Sequence, residues 1–266
     1  MQMLLSQCLV LTKSQFEADS LIPVPPLPIQ HQIVSHLDKL NEIIDKQREL
    51  LKVLDKLEQS IFYEMFGDPV KNEKGWEIKT LEEVCTKITD GEHLRPEVTD
   101  EGIPFLSAKD ITKGYVDFSD TLFVSSETAK KSRLRCNPEY NDILIISRGA
   151  TIGRSCKNDS HKVFCLLGSV ILLKPDINIE SDFILHFLKD KDVVQYLYSL
   201  CGAAAQQAIY LKSLKVLSIP LPPLSLQQSF ASRITYIEQQ KQAIQSSIDK
   251  FQEMLDGAMD EYFGDD

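Results

Sequence analysis

Apolar residues follow two different rhythms along this chain. Ile33, Leu37, Leu40, Ile44, Leu51, Leu54 and Ile61 fall on alternating steps of four and three, with polar Gln47 and Glu58 filling the two remaining seam positions. Sustained over about four heptads, that spacing predicts a long helix with a coiled-coil seam. Phe230, Ile234, Ile237, Ile244, Ile248, Phe251, Leu255, Ala258 and Tyr262 repeat it near the other end, interrupted by Lys241. Each run of roughly 36 residues predicts a helix on the order of 55 Å long. Between them the rhythm shortens. Val84–Ile88, Asp142–Ser147, Val163–Leu167 and Val170–Lys174 are brief β-type stretches between turn signals, and helical periodicity returns from Asp182 to Leu200. The expected class is α+β: a globular mixed α/β domain with a mainly antiparallel sheet, flanked by two long helices that form an antiparallel coiled coil.

The two helical runs are copies. Ile22-Pro-Val-Pro-Pro-Leu27 returns as Ile219-Pro-Leu-Pro-Pro-Leu224, and Phe66-Gly67-Asp68 returns as Phe263-Gly264-Asp265, both at an offset of 197 positions. A repeat in constant register marks duplicated structural units. It divides the chain into an N-terminal segment with its proline box (1–28), a first helical spacer (29–68), a central domain (76–218) and a second proline box with its spacer (219–266). Ser225 with Gln228 fits a capping box and Pro28 suits a first helical turn. Gly67 and Gly264 can take the left-handed conformation that ends a helix, and Asp68-Pro69 forbids continuation. Ile43, Leu50 and Leu57 widen the apolar face of the first spacer beyond one seam, whereas Gln240 and Ser247 stand at two of the matching places in the second and only Met254 is apolar. A face broader than one partner requires predicts a further interface, with a second chain.

Composition narrows the function. A formal net charge of −10 argues against indiscriminate coating of nucleic acid. The acidity is uneven: between Trp76 and Ser218 acids and bases nearly balance, with bases grouped at Lys130-Lys131-Ser-Arg133-Leu-Arg135 and at Arg148, Arg154, Lys157 and Lys162. The apolar start, Met1 to Leu11, lacks a basic leader, a cleavage site and the length to span a bilayer, so a cytoplasmic protein without a membrane is expected. Six scattered cysteines form no C-x-x-C pair and no zinc spacing with histidine, which predicts reduced, partly buried thiols.

Catalytic look-alikes fail on chemistry. Asn137-Pro138-Glu139-Tyr140 resembles the box with which amino-methyltransferases hold a target base, but Glu139 replaces a proline and no Gly-rich cofactor turn accompanies it. Gly149-Ala-Thr-Ile-Gly153-Arg154 lacks phosphate-loop spacing. Pro175-Asp176 with Glu180 lacks the Glu-x-Lys that a metal-dependent nuclease needs. His31, His36, His93, His161 and His186 form no metal-binding pair; His31 and His36 fit a solvated helix face.

Several motifs in order do carry a resemblance. Gly75-Trp76, Asp90-Gly-Glu-His93, Gly102-Ile-Pro-Phe-Leu-Ser107, Asn141-Asp-Ile-Leu-Ile-Ile-Ser-Arg-Gly-Ala-Thr-Ile-Gly153 and Gln206-Gln207 through Leu224, with the duplicated spacer, look like the specificity subunit of type I restriction-modification systems over about residues 22 to 265. In that family two target-recognition domains alternate with two helical spacers. The resemblance implies that 76–218 form one such domain and that 29–66 and 226–263 are spacers. With a single recognition domain the chain looks like a half-length subunit or the product of a rearranged gene, and Leu11 to Ser20 leads into the first proline box loosely as Ile209 to Ser218 leads into the second, as the tail of another domain would.

The resemblance further implies a non-catalytic subunit that binds double-stranded DNA and docks a methylation and a restriction subunit, which supply S-adenosylmethionine, ATP and Mg chemistry. This chain itself would hold no cofactor and no metal, and one recognition domain per chain implies a homodimer. His93, Arg95, Ser107, Lys109, Arg148, Gln206 and Gln207 lie in polar stretches between strands where groups reading base edges would be presented. Arg133, Arg135, Arg154 and Lys157 suit phosphate contact or plain surface charge. A coiled-coil adaptor without a DNA role and an inert gene fragment remain the competing readings.

Overall fold

The computed structural model describes residues 25–201 and 208–263. Two long helices of 40 residues each, α1 (Leu27–Phe66) and α7 (Leu224–Phe263), bracket the remaining elements. The chain divides into two compact units, one of residues 51–242 and one of residues 1–50 with 243–266.

In the larger unit, β2 (Cys85–Asp90), β5 (Ile143–Ile146), β6 (Ser155–Lys157) and β8 (Val170–Pro175) form a four-stranded sheet in the order β2-β8-β5-β6, antiparallel throughout. Strands β5 and β8 read as continuous apolar runs because both faces are covered. Ile143, Ile145, Ile171 and Leu173 pack with the helical residues Phe62, Phe66, Phe183 and Phe230, while Leu144, Ile146, Val170 and Leu172 pack with Leu106, Ile111 and Phe164. A second sheet sets β3 (Ile103–Leu106) between β4 (Leu122–Val124) and β7 (Cys165–Leu166), and its β3–β7 pairing is parallel, an exception to the antiparallel expectation. Strands β1 (Glu77–Thr80) and β9 (Ser218–Leu221) pair antiparallel and so join the two ends of the central domain. A short helix α2 (Leu81–Val84) follows β1 and α3 (Ser126–Arg135) follows β4.

The helical periodicity over Asp182–Leu200 is divided between two helices, α4 (Ser181–Lys189) and α5 (Lys191–Cys201). Asp190 makes the break. Its carboxylate accepts the backbone N–H of Asp192 at 2.9 Å and of Val193 at 3.1 Å, capping α5, and also accepts the Tyr63 hydroxyl. A short helix α6 (Leu211–Lys215) precedes β9.

The proline boxes act identically at the two helix starts, and the expected Ser225–Gln228 box does not form. In α7, the Pro223 carbonyl accepts the N–H of Leu226 at 2.9 Å and of Gln227 at 3.2 Å, and the Gln227 side chain donates back to Pro222 O at 2.8 Å. In α1, Pro26 O accepts from Ile29 at 2.8 Å and Gln30 at 3.1 Å, and Gln30 Nε2 donates to Pro25 O at 2.7 Å. Ser225 lies inside α7, one residue past its start. The repeated Ile-Pro-x-Pro-Pro-Leu is thus a capping device, needed because prolines carry no N–H and their carbonyls are free to receive the first helical donors. Gly67 ends α1 at φ +80°, as expected; Gly264 lies outside the described residues.

The seam runs antiparallel within each unit. In the smaller one, His36 Nδ1 lies 3.0 Å from Tyr262 Oη and Gln47 Nε2 donates to Ser247 Oγ at 2.8 Å, with Ile33, Leu40, Ile44, Ile248 and Ala258 buried between them. In the larger one, Lys241 ion-pairs with Asp55 at 2.8 Å, Glu238 at 3.1 Å and Glu58 at 3.2 Å. Against the penalty of burial, these carboxylates hold Lys241 above the ordinary lysine range. The three polar seam positions, Gln47, Glu58 and Lys241, therefore fix register where apolar residues alone would slide.

Cys85, Cys136, Cys156 and Cys165 are buried and unpaired, and Cys201 is half-buried; Cys8 lies outside the described residues. Burial pushes the Cys85, Cys136 and Cys156 thiols up to about 12, so they pack as small apolar groups.

Candidate nucleic-acid interface

Five of the residues that sequence nominates, His93, Ser107, Lys109, Arg135 and Arg148, lie on segments that meet at or beside the turn Leu167-Gly168-Ser169. The loop that leaves β2 reaches it first. Gly91 N donates to Val170 O at 3.2 Å and Glu92 N to Leu166 O at 2.8 Å, while Gly168 N donates to Glu92 O at 2.7 Å. A Cβ on Gly91 would lie 2.0 Å from the Leu166 carbonyl oxygen, so only glycine passes here. A Cβ on Gly168 would meet the His93 ring at 2.8 Å. The Asp-Gly-x-His sequence is thereby explained: glycine makes the approach and histidine covers the opposing glycine.

Asp90 closes the arrangement. Its carboxylate is buried, takes a charge-assisted hydrogen bond from the Arg135 guanidinium, and lies 3.2 Å from His93 Nε2; Arg135 is also 3.2 Å from that nitrogen. Helix α3, capped by Ser125, brings Arg135 from the other side of the sequence. We expect Asp90→Ala to release the Arg135 guanidinium and the His93 ring from the acceptor they share and to cost about 1–3 kcal/mol of stability in a denaturant titration; an unchanged midpoint would mean that this carboxylate organises nothing here.

The β3 end reaches the same turn. Ala108 N donates to Ser169 Oγ at 3.2 Å, and Asp110 takes the Ser107 N–H at 2.7 Å and its hydroxyl at 3.0 Å, so Ser107 caps a one-turn 3₁₀ helix (Ala108–Ile111). Lys109 sits on that turn of helix and pairs with Asp120 at 2.8 Å. From β5, Ser147 N donates to Ser169 O at 2.8 Å and Ser147 Oγ to Gly168 O at 3.3 Å, which places Arg148 beside the hub. Arg148 bridges in β fashion to Ala208; Gln206 and Gln207 lie outside the described residues.

The charged candidates then separate by what holds them. Arg133 is spent on carbonyls, donating to Phe164 O at 2.7 Å, and Lys157 pairs with the buried Asp182 at 2.6 Å. Arg154 donates to Thr112 O at 2.9 Å but stays exposed on the β5–β6 loop. Arg95 and Arg148 are exposed and make no side-chain hydrogen bond or ion pair among the described residues, which leaves their forked donors free for a carboxylate, phosphate or base edge. Sequence reasoning missed Asp90, Gly168 and Ser169 as organisers of the site; the cue was the Asp-Gly-x-His spacing, which carries no hint of its distant partner α3.

No group of three or more His, Cys, Asp or Glu side chains able to hold a metal ion occurs among the described residues. Nor is any described helix long and apolar enough to cross a membrane.

Comparison with known proteins bears on the same region. The chain is 28% identical over 191 residues to the EcoKI specificity subunit of a type I restriction enzyme from Escherichia coli K12, covering 68% of this chain and 40% of that protein. It is 28% identical over 235 residues to the putative MjaX specificity subunit of Methanocaldococcus jannaschii, covering 82% and 52%. The chain thus spans about half the length of the curated relatives it matches, or less. Its fold is similar to the crystal structures of the type I restriction-modification S subunit from M. genitalium (TM-score 0.61, 20% identity, 89% of this chain and 61% of that one) and of the HsdS subunit from Thermoanaerobacter tengcongensis (TM-score 0.53, 24% identity, 91% and 60%). The family model for the type I restriction modification DNA specificity domain matches residues 73–250, most of the chain, and the protein belongs to that family.

Proposed function

We propose that this chain is a half-length DNA-recognition subunit that directs methylation and restriction subunits to a bipartite target. The observation that carries the reading is the hub at Leu167–Ser169. It ties together the segments that follow β2, β3 and β5, while Arg95 and Arg148 have no internal partners among the described residues, as a surface for base edges and phosphates requires. Residues 76–218 act as the recognition domain and 29–68 with 219–266 as spacers. S-adenosylmethionine, ATP and Mg belong to the partner subunits, and the complex works in the cytoplasm. The chain alone is expected to transfer no methyl group from labelled S-adenosylmethionine to DNA, and to direct transfer at one sequence once a methylation subunit is added. Transfer surviving rigorous removal of that subunit, or none at any sequence with it present, overturns the reading.

The partners dock on α1. Ile43, Leu50 and Leu57 recur every seven residues on that helix and all three are exposed, whereas the seam residues beside them are buried or half-buried. Three large apolar side chains left in water on one stripe mark an interaction face. Replacing Leu50 and Leu57 together with Lys removes about 1.5–3 kcal/mol of burial per side chain. Association with the methylation subunit and with a second copy should fall more than tenfold in sedimentation while the melting transition of the chain is nearly unchanged; unchanged mass and capture would assign the stripe no partner.

A further inference from the structure

Among the described residues of the larger unit, Leu94, Leu134 and Ile177 are the most exposed large apolar side chains, at 82%, 85% and 85%. Their settings differ. Ile177 stands in the turn that leaves β8 at the end away from the hub, and β8 is a strand of six residues, or roughly 20 Å. Leu134 stands on α3 at the edge of an apolar cleft lined by Ile103, Ala129 and Val163. Leu94 stands on the loop between β2 and β3, one residue past the histidine that covers the hub.

That loop is held at both ends. Glu92 donates its N–H to Leu166 O at 2.8 Å and accepts Gly168 N–H at 2.7 Å, while Thr99 N donates to Phe123 O of β4 at 2.9 Å. Between these anchors, His93 Nε2 lies 3.2 Å from both Asp90 and Arg135, and Pro96 locks its own φ and disfavours helical conformations at Arg95. A loop stiffened in this way presents Leu94 in a defined place, so little ordering cost is left for a contact to meet. An 82% exposed leucine contributes little to the fold that holds it. Its neighbours are cations. Arg95 follows it, exposed and unpaired among the described residues, Arg135 reaches His93 from α3, and Arg148 stands beside the same hub. An apolar group set among cations suits a polyanion that carries an apolar group of its own. In the major groove of a duplex that group is the C5 methyl of thymine, which the other three bases lack.

We infer that Leu94 is a specificity-determining residue that reads a thymine of the half-site by packing on its C5 methyl, with the Arg95 guanidinium on the neighbouring base or phosphate. The inference deepens the proposed recognition function and rests on it. It divides the labour at this loop: arginine supplies donors to base-edge or phosphate acceptors, and leucine distinguishes T·A from C·G at one position by apolar contact alone.

The test uses the complete chain assembled with its methylation subunit, and a duplex carrying the target that methylome sequencing identifies. Each thymine at a specified position, on either strand, is replaced in turn by deoxyuridine, which removes one methyl group and leaves base pairing unchanged. In competition titrations, the replacement at one position of the half-site should weaken wild-type binding about fourfold, the worth of one buried methyl group. Leu94→Ala should bind the thymine and deoxyuridine duplexes alike at that position. Ile177→Ala, which removes an equally exposed apolar side chain at the other end of β8, should keep the difference. The inference is overturned by a wild type that tolerates deoxyuridine everywhere, by a target with no thymine at its specified positions, or by a difference that survives Leu94→Ala or is lost in Ile177→Ala. So is it by a Leu94→Ala chain that no longer captures the methylation subunit, which would give this side chain to a protein interface. A complex that prefers no sequence at all overturns the recognition reading together with this one, whereas a complex that keeps its preference and ignores the methyl groups overturns this one alone.

Discussion

Phe66→Ala should lower the stability of the chain by about 3–5 kcal/mol, the range for deleting a buried aromatic ring. Its ring sits among Phe183 at 4.8 Å, Phe62 at 5.1 Å and Phe230 at 5.2 Å, so truncation opens a cavity that α1, α4 and α7 all line. Aromatic neighbours in a mostly edge-on packing cannot all move into that space at once. The backbone of the same residue is also engaged: Trp76 Nε1 donates to Phe66 O at 2.9 Å, and Gly67 follows in the left-handed region. The informative control is Phe263→Ala, the same residue in the other copy of the repeat, which is mostly exposed and should cost under about 1 kcal/mol. Denaturant titrations of the two variants should therefore differ by more than 2 kcal/mol. Equal losses would mean that the two helix ends are packed alike and that burial assigns their roles wrongly.

Much of this was legible in the chain, for reasons that differ by element. The seam could be read because heptad spacing survives along a straight helix: every predicted seam residue, from Ile33 to Ile61 and from Phe230 to Tyr262, is buried or half-buried. Strands β5 and β8 were legible as apolar runs, but not their neighbours, since pairing between Ile143 and Leu173 depends on a distant turn. The division of Asp182–Leu200 was hidden because Asp190 keeps the apolar period on both sides and breaks the helix only through its side-chain cap. The capping glutamines were hidden too, because Ser225 offers the familiar signal two residues earlier and a proline carbonyl acting as receiver has no letter of its own. At the candidate interface, sequence could name cations but not sort them. Arg133 and Lys157 look as available as Arg148 until Phe164 O and Asp182 are seen to occupy them.

That sorting decides what the largest functional change should be. Arg148, exposed and unpaired beside the hub, is expected to read or brace the duplex; Arg148→Ala should remove about 1–3 kcal/mol of discrimination if its contact is a bidentate one to guanine, or lower the salt slope by about one if it meets a phosphate. Arg95→Ala should fall into one of the same two patterns. On the proposed reading, one recognition domain per chain sets the symmetry of the target. One recognition domain reads one half-site, and two of the same kind related by a twofold axis read it twice in inverted orientation. Dimeric readers place such half-sites about one helical turn, or a multiple of it, apart, because the two domains must meet the same face of the duplex. Methylome sequencing of a host that carries this gene as its sole specificity subunit should accordingly show methylated adenines in an inverted repeat with an unspecified central gap, and Arg148→Ala should erase or broaden both halves together. An asymmetric bipartite motif would mean that a different recognition domain occupies the second position, and a variant that altered only one half would show the same from the opposite side. No methylated motif at all would return the chain to the inert-fragment reading.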